Sequence, residues 1–142
     1  MTQNQKPGFI FWIVSILALF WNFMGVFSYL TQVYMTDEVL NALPAEDQEL
    51  LTNLPAWVTA AYAIAVFSGF FGSLVLLFRK KLAETLFTLS FIAVLVQQAY
   101  YFFLQDYITL SGQNIILPLV IIIISGFLMW YSKGLKLKGI LK

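Results

Sequence analysis

The sequence contains no cysteine and no histidine. Without cysteine the chain has no disulfide, no thiolate nucleophile and no sulfur ligand for an iron–sulfur cluster. Without histidine it has no imidazole for acid–base catalysis or for binding haem, zinc or copper. The acidic residues fall in predicted loops or at a helix end, which disfavours a site built from carboxylates alone. We therefore expect a protein that is not an enzyme and that holds neither a metal ion nor a cofactor.

Charged residues are also scarce. They make up 11% of the 142 residues, whereas hydrophobic residues make up 61%. A soluble domain carries about 25% charged residues, so this chain has too few to cover a surface that faces water. We expect the lipid bilayer to be the main partner of a single transmembrane domain, residues 1–142. The net charge of +1 and the scattered cations argue against nucleic acid.

Four apolar runs are each long enough to cross a hydrocarbon layer of about 30 Å. They predict spans over residues 9–33, 55–78, 82–104 and 115–131. Antiparallel neighbours joined by short turns favour an all-α, integral membrane, antiparallel four-helix bundle. Pro118 is expected in the first turn of the fourth span, where its missing N–H is tolerated.

The segment between the first two spans differs from the rest because it is polar and acidic. Thr36 followed by Asp37 and Glu38 is typical of a helix start, and Pro44 followed by acidic residues predicts a second one. Leucines at intervals give both helices an apolar side. We therefore predict two short amphipathic helices over the outer mouth of the bundle. A solvated loop is the alternative.

Two patterns indicate how the first two spans pack. In the first span, six small or polar residues share one helix face, and large residues from Phe11 to Leu30 are expected to face lipid. In the second span, small residues recur at every fourth position and permit close helix packing. The face of the first span comprises Ser15, Ala18, Asn22, Gly25, Tyr29 and Gln32. The small-residue ridge of the second span comprises Ala61, Ala65, Gly69 and Ser73.

The cations predict the orientation. Four spans place both termini and the middle turn on one side, and that side holds every Lys and Arg. The positive-inside rule therefore puts both termini in the cytoplasm. Glu84 is expected to pair locally with Lys81, which leaves no ionisable group at mid-membrane and disfavours proton-coupled transport. The cations are Lys6, Arg79, Lys80, Lys81, Lys133, Lys136, Lys138 and Lys142.

Amides and tyrosines from three spans are expected at similar depth in the outer half of the membrane. One interpretation is a pocket for a neutral or amphipathic ligand, because amides donate and accept hydrogen bonds and tyrosine rings stack on apolar surfaces. The other is that Asn22 and Gln98 bond each other as packing contacts and that the tyrosines form an interfacial belt. The candidate ligand-binding residues are Asn22, Tyr29, Gln32, Tyr62 and Gln98.

The stretches Trp12–Glu38 (WIVSILALFWNFMGVFSYLTQVYMTDE) and Pro55–Lys81 (PAWVTAAYAIAVFSGFFGSLVLLFRKK) carry a resemblance to a known family. The chain resembles a group of small four-span bacterial membrane proteins often labelled "sugar transporter", and the later spans resemble it more loosely. The resemblance implies a bacterial inner-membrane location and a neutral, sugar-type ligand.

The residues leave three functions open. The first is a transporter-like or solute-binding protein that is active as a homodimer. The second is a non-enzymatic accessory or assembly subunit of a larger membrane complex. The second predicts that the small-residue ridge of the second span is exposed to lipid in the monomer. The third is an envelope-stress or lipid-sensing role that rests only on the amphipathicity of the two loop helices.

Overall fold

The computed structural model describes residues 6–142, except for the side chain of Gln113, so residues 1–5 of the predicted domain lie outside the described part. The fold is all-α, as predicted, and four helices are long and apolar enough to cross a membrane, as in a multi-pass membrane protein. The elements are α1 (Phe9–Val33), α2 (Asp37–Asn41), α3 (Ala45–Thr52), α4 (Ala56–Leu77), α5 (Leu82–Ala99) with a π-helical extension (Tyr100–Leu104), and α6 (Gln113–Leu137).

The four long helices pack in chain order. Helix α1 packs against α4, α4 against α5, and α5 against α6. Among the described residues, α1 and α6 form no comparable helix–helix contact. The backbones of α1 and α6 therefore lie further apart than those of the other neighbouring helices, although Phe11 and Ala18 of α1 share a core cluster with Leu128 and Leu135 of α6. We call this wider gap between α1 and α6 the open side of the bundle.

Charge separates the two ends of the bundle. The basic end contains the turn after α4 and the segment after α6, and all eight Lys and Arg residues belong to it. The acidic end contains the segment from α2 to α3 and the loop before α6, and six of the seven acidic residues belong to it. Glu84, the seventh, lies at the basic end, where its carboxylate is 3.8 Å from the ammonium of Lys136 in α6. The predicted local pair with Lys81 is thus replaced by a contact between helices.

A polar contact at the centre of the bundle joins α1 to α4. The amide nitrogen of Asn22 donates to the Ala18 carbonyl at 2.8 Å and to the Ser73 hydroxyl at 2.9 Å. The Ser73 hydroxyl in turn donates to the Gly69 carbonyl at 2.9 Å. Because small residues let the two backbones approach, a short amide side chain can span the gap.

The small-residue ridge of α4 is buried inside the bundle. Ala61, Ala65 and Ser73 are 6%, 4% and 0% exposed, and Gly69 is buried as well. On its other side, the ridge receives a hydrogen bond from the Ser90 hydroxyl of α5 to the Ala65 carbonyl at 2.7 Å. The ridge is therefore used between α1, α4 and α5, and the predicted lipid-exposed ridge is wrong.

The basic end is closed by the segment that follows α6. The Lys142 N–H donates to the Arg79 carbonyl at 2.7 Å, and the Arg79 Nε donates to the Ile140 carbonyl at 3.1 Å. Leu141 is 1% exposed and packs in one core cluster with Phe11, which is 2% exposed. The prediction that Phe11 faces lipid is wrong, because the folded-back segment and α6 cover this part of α1.

The fourth spanning helix is longer than predicted. It begins at Gln113 and ends at Leu137, six residues beyond the predicted end. Its charged last turns still belong to the helix, and Ser132 and Leu135 there are buried against the rest of the basic end. Pro118 consequently lies in the second turn, where it removes one backbone hydrogen bond.

Candidate functional site

The two predicted short helices are present at the acidic end. The Thr36 hydroxyl caps α2 by accepting a backbone N–H at 3.3 Å. The side chain of Gln48 in α3 donates to the Leu43 carbonyl at 2.7 Å. This second bond fixes α3 to the turn that precedes it. Apolar residues of α3 and of the turn after it line a cavity at this end of the bundle. These lining residues are Leu50, Leu51 and Leu54.

The cavity beneath α3, which we call the loop cavity, has a volume of about 310 Å³. Its polar lining comes from all four spanning helices, including Asn114 of α6. Gln32 of α1 and Tyr62 of α4 lie opposite Gln97 and Gln98 of α5. Amide and tyrosine side chains from different helices thus line one cavity, and their depth in a membrane stays a prediction.

Two buried glutamines, one in α5 and one directly after its π-helical extension, differ in their hydrogen bonding. Gln105 is 6% exposed, donates to the carbonyls of Tyr101 and Ile108, and accepts the N–H groups of Tyr107 and Ile108, all within 3.1 Å. Gln98 is also 6% exposed, and its Oε1 has no hydrogen-bond partner among residues 6–142. Because a buried polar atom without a partner costs about 1–3 kcal/mol, Gln98 is the unsatisfied group of this cavity.

A tyrosine completes the hydrogen bonding of α6 beside the loop cavity. Pro118 has no N–H, so the carbonyl of Asn114 lacks the donor that a regular helix would supply. The Tyr101 hydroxyl donates to this carbonyl at 3.0 Å. The π-helical extension, closed by a bond from the Gln105 N–H to the Tyr100 carbonyl at 3.0 Å, carries Tyr101 toward α6.

A second cavity, which we call the deep cavity, has a volume of about 480 Å³ and lies further toward the middle of the bundle. It is lined by all four spanning helices and is mainly apolar. Its polar groups include Asn22 and Ser28 of α1 and Ser125 of α6. The two cavities are adjacent, because five residues line both of them. The shared residues are Gln32, Tyr62, Gln97, Leu117 and Ile121.

Neither cavity carries a formal charge. Within the part of the chain that the structure describes, no Asp, Glu, Lys or Arg lines either of them. Their polar atoms are those of amides and hydroxyls, which are neutral at every physiological pH. Such a lining is suited to uncharged groups, because a charged group would lose its hydration without gaining an opposite charge.

The structure brings four of the five predicted site residues to the two cavities. Gln32 and Tyr62 line both, Gln98 lines the loop cavity and Asn22 lines the deep cavity. Tyr29 is not among the described lining residues. Its ring packs edge-on against Tyr62, with centroids 5.3 Å apart, and so supports that side chain.

Tyr62 is further oriented by a residue that the sequence pattern did not single out. Its hydroxyl donates to the Ser28 hydroxyl at 2.7 Å, which links α4 to α1. Ser28 lies beside the predicted polar face of α1. Ser125 was missed because the fourth span reads as uniformly aliphatic, although the Ser125–Gly126 pair interrupts that run. The alternative of an Asn22–Gln98 bond is wrong, since the amide nitrogen of Asn22 bonds Ser73 and Ala18.

No protein-family model, curated protein or solved structure matches this chain.

Proposed function

We propose that this protein binds a neutral, hydroxyl-bearing ligand, such as a sugar-type or amphipathic molecule, in the loop cavity. The observation that carries the proposal is the buried Oε1 of Gln98, which has no partner among the described residues. A membrane protein cannot leave such an atom unsatisfied without a loss of stability. Because this atom is fully buried, the Gln98 side chain would turn toward the cavity that it lines, and a bound ligand hydroxyl would then pair with the amide and recover that loss.

A hydroxyl is the group that fits this position best. The oxygen and nitrogen of a carboxamide are interchanged by a flip of the side chain, so the buried atom of Gln98 is either an acceptor or a donor. A hydroxyl both donates and accepts, and it therefore satisfies either orientation. Gln32, Gln97 and Tyr62 supply further donors and acceptors around the same cavity.

A second buried polar atom does not support a ligand site. The Ser15 hydroxyl is 0% exposed and also has no partner among the described residues, but it lines neither cavity. A serine hydroxyl within a helix can rotate toward the carbonyl of the preceding turn. Ser15 therefore needs no ligand, whereas Gln98 borders a space that can hold one.

The proposal extends to location and orientation. The all-basic end would lie in the cytoplasm of a bacterial cell and the acidic end outside the inner membrane, as the positive-inside rule requires. The loop cavity would then open toward the outside under α3. Transport across the whole bundle would need a second copy or a partner, because the core at the basic end is packed with buried apolar residues.

The buried position of the small-residue ridge argues against the alternative function, an accessory subunit that docks through this ridge. Ser73 and Ala65 of that ridge form hydrogen bonds inside the bundle. A partner could reach the ridge only by displacing α1 or α5. Solute binding is therefore the better-supported function.

Thermal unfolding of the protein in lipid nanodiscs tests the proposal. The probe is octyl glucoside below its micellar concentration, compared with octyl sulfate and octyltrimethylammonium, which share its chain but carry a charge. We expect only the glucoside to raise the unfolding midpoint, with a saturable concentration dependence, because binding to the folded state stabilises it.

The matched variant is Gln98→Met, which keeps the length of the side chain and removes its polar atoms. We expect the glucoside shift to disappear in Gln98→Met and to persist in Thr59→Ala, a change outside both cavities. Equal shifts by all three probes, or a full glucoside shift in Gln98→Met, would show that the amide does not recognise a hydroxyl. Mass spectrometry of small molecules that co-purify from native membranes then identifies the natural ligand.

A further inference from the structure

We infer that the ligand is a lipid-like amphipath that enters sideways from the membrane, with its hydroxylated head in the loop cavity and one acyl chain in the deep cavity. This inference rests on the proposed function, because Gln98 holds the head group. It adds the chemical class of the ligand, the route of entry and a second binding site.

The first observation is that the two cavities are adjacent. Gln32, Tyr62 and Gln97 belong to the linings of both, so these three side chains mark the boundary between them. The amide of Gln98 lies on the loop-cavity side of this boundary. The linings of both cavities are mainly apolar, and the loop cavity carries the larger share of polar surface. Two adjacent cavities, of which the outer one is the more polar, match a molecule with a polar head and a hydrocarbon tail.

The second observation is the depth of the deep cavity. Along α5 its lining runs from Gln97 to Phe87, ten residues apart, or about 15 Å at the rise of an α-helix. That distance is half of a hydrocarbon layer of about 30 Å and therefore the depth of one leaflet. Phe87 and Leu128, 2% and 4% exposed, close the cavity at its lower end.

The third observation is the open side of the bundle. Among the described residues, the backbones of α1 and α6 make no close contact comparable to that of the other neighbouring helices, and both helices line the deep cavity. Met24 on α1 and Leu117 on α6 both line it, and they are 49% and 59% exposed. An acyl chain could therefore pass from the bilayer between these two helices without crossing water.

The uncharged lining narrows the class of ligand. A phosphate or a quaternary amine in the loop cavity would be buried without a counter-charge. The acidic end, with Asp47 and Glu49 in α3, would also repel an anionic head group. The ligand is therefore an uncharged amphipath, such as a monoacylglycerol or a glycolipid.

Tryptophan fluorescence tests the chain site directly. Trp21 lines the deep cavity, whereas Trp130 is 68% exposed on the lipid-facing surface. Two proteins, each with a single tryptophan at one of these positions and phenylalanine at the others, are placed in nanodiscs with a monoacylglycerol whose chain carries bromine, a contact quencher. We expect the quenching of Trp21 to saturate as the brominated monoacylglycerol is added. Over the same range of mole fractions, the quenching of Trp130 should rise in proportion to the amount of that lipid.

A cavity-filling variant provides the second arm. Ser125→Phe places a ring in the deep cavity, and we expect it to remove the saturable component at Trp21, while Ser125→Ala retains it. Quenching curves that run in parallel at Trp21 and Trp130 overturn the inference, and so does a saturable component that survives Ser125→Phe. If either result is found while the unmodified protein still shows the glucoside shift that depends on Gln98, the proposed function stands without the chain site. If the unmodified protein shows no such shift, the proposed function is overturned.

Discussion

A Cβ atom on Gly69 of α4 would overlap the Oδ1 atom of Asn22 in α1, and it would lie 3.1 Å from the Asn22 Cγ. The same hypothetical atom would lie 3.2 Å from the Ser90 hydroxyl of α5. Gly69 is thus a position at which α1, α4 and α5 approach one another closely. The absence of a side chain there permits the Asn22–Ser73 hydrogen bond.

We predict that Gly69→Ala destabilises the protein by about 1–3 kcal/mol, the usual cost of overpacking a well-packed interior. In an Asn22→Ala background the overlap is removed, so the same substitution should cost little. Thermal unfolding of the two single variants and the double variant measures this coupling.

Gly134→Ala serves as the control for Gly69→Ala. A Cβ at Gly134 meets no atom within 4 Å, and alanine favours a helix over glycine by about 1 kcal/mol. We expect Gly134→Ala to be neutral or stabilising. Additive effects of Gly69→Ala and Asn22→Ala would contradict the close contact.

The two buried glutamines should respond oppositely to the same substitution. Gln98→Met removes an unsatisfied polar atom, so we expect the ligand-free protein to unfold at a higher temperature. Gln105→Met leaves the N–H groups of Tyr107 and Ile108 without their acceptor, and we expect a loss of about 1–3 kcal/mol. Unfolding midpoints in nanodiscs without added ligand check both, and a destabilised Gln98→Met would show that this amide has a structural role.

Tyr101 should matter only because α6 contains a proline. We predict that Tyr101→Phe costs about 0.6–1.7 kcal/mol, the range of hydrogen bonds within membrane proteins. Pro118→Ala restores the N–H that the Asn114 carbonyl lacks, so Tyr101→Phe should cost less in that background. An equal cost in both backgrounds would mean that the contribution of the Tyr101 hydroxyl, which lies 3.0 Å from the Asn114 carbonyl oxygen, does not depend on the N–H that Pro118 lacks.

The segment after α6 should become susceptible to protease when its buried leucine is made polar. We expect Leu141→Glu to release this segment from the Arg79 turn, because a carboxylate cannot remain at a position that is 1% exposed. Trypsin should then cleave after Lys138 faster than in the unmodified protein. Leu137→Glu introduces the same charge at a position that is 72% exposed and should leave the cleavage rate unchanged.

The orientation can be tested without background labelling because the chain has no cysteine. We expect a membrane-impermeant maleimide added to intact cells to label Asn53→Cys and Ser111→Cys, which lie at the acidic end. Lys80→Cys, at the basic end, should be labelled only after the cells are permeabilised. Labelling of all three variants in intact cells would contradict the predicted orientation.

The sequence by itself determined the helices and the separation of charge between the two ends. Hydropathy and the positions of lysine, arginine, proline and capping residues are local properties of the chain, and they suffice to locate spans and helix starts. The polar face of α1 was predictable for the same reason, because helical periodicity depends only on spacing. The end of α6 was not predictable from the sequence, because its last turns are polar and are held by packing at the basic end.

Only the tertiary structure decided which polar atoms find partners. Asn22 and Gln98 looked equivalent in the sequence, yet the amide nitrogen of Asn22 bonds Ser73, while Gln98 lines the loop cavity and its Oε1 has no partner among the described residues. The open side between α1 and α6 likewise depends on which helices pack together. The rotation and neighbours of each helix are set by contacts between residues far apart in the chain, so no local pattern could reveal them.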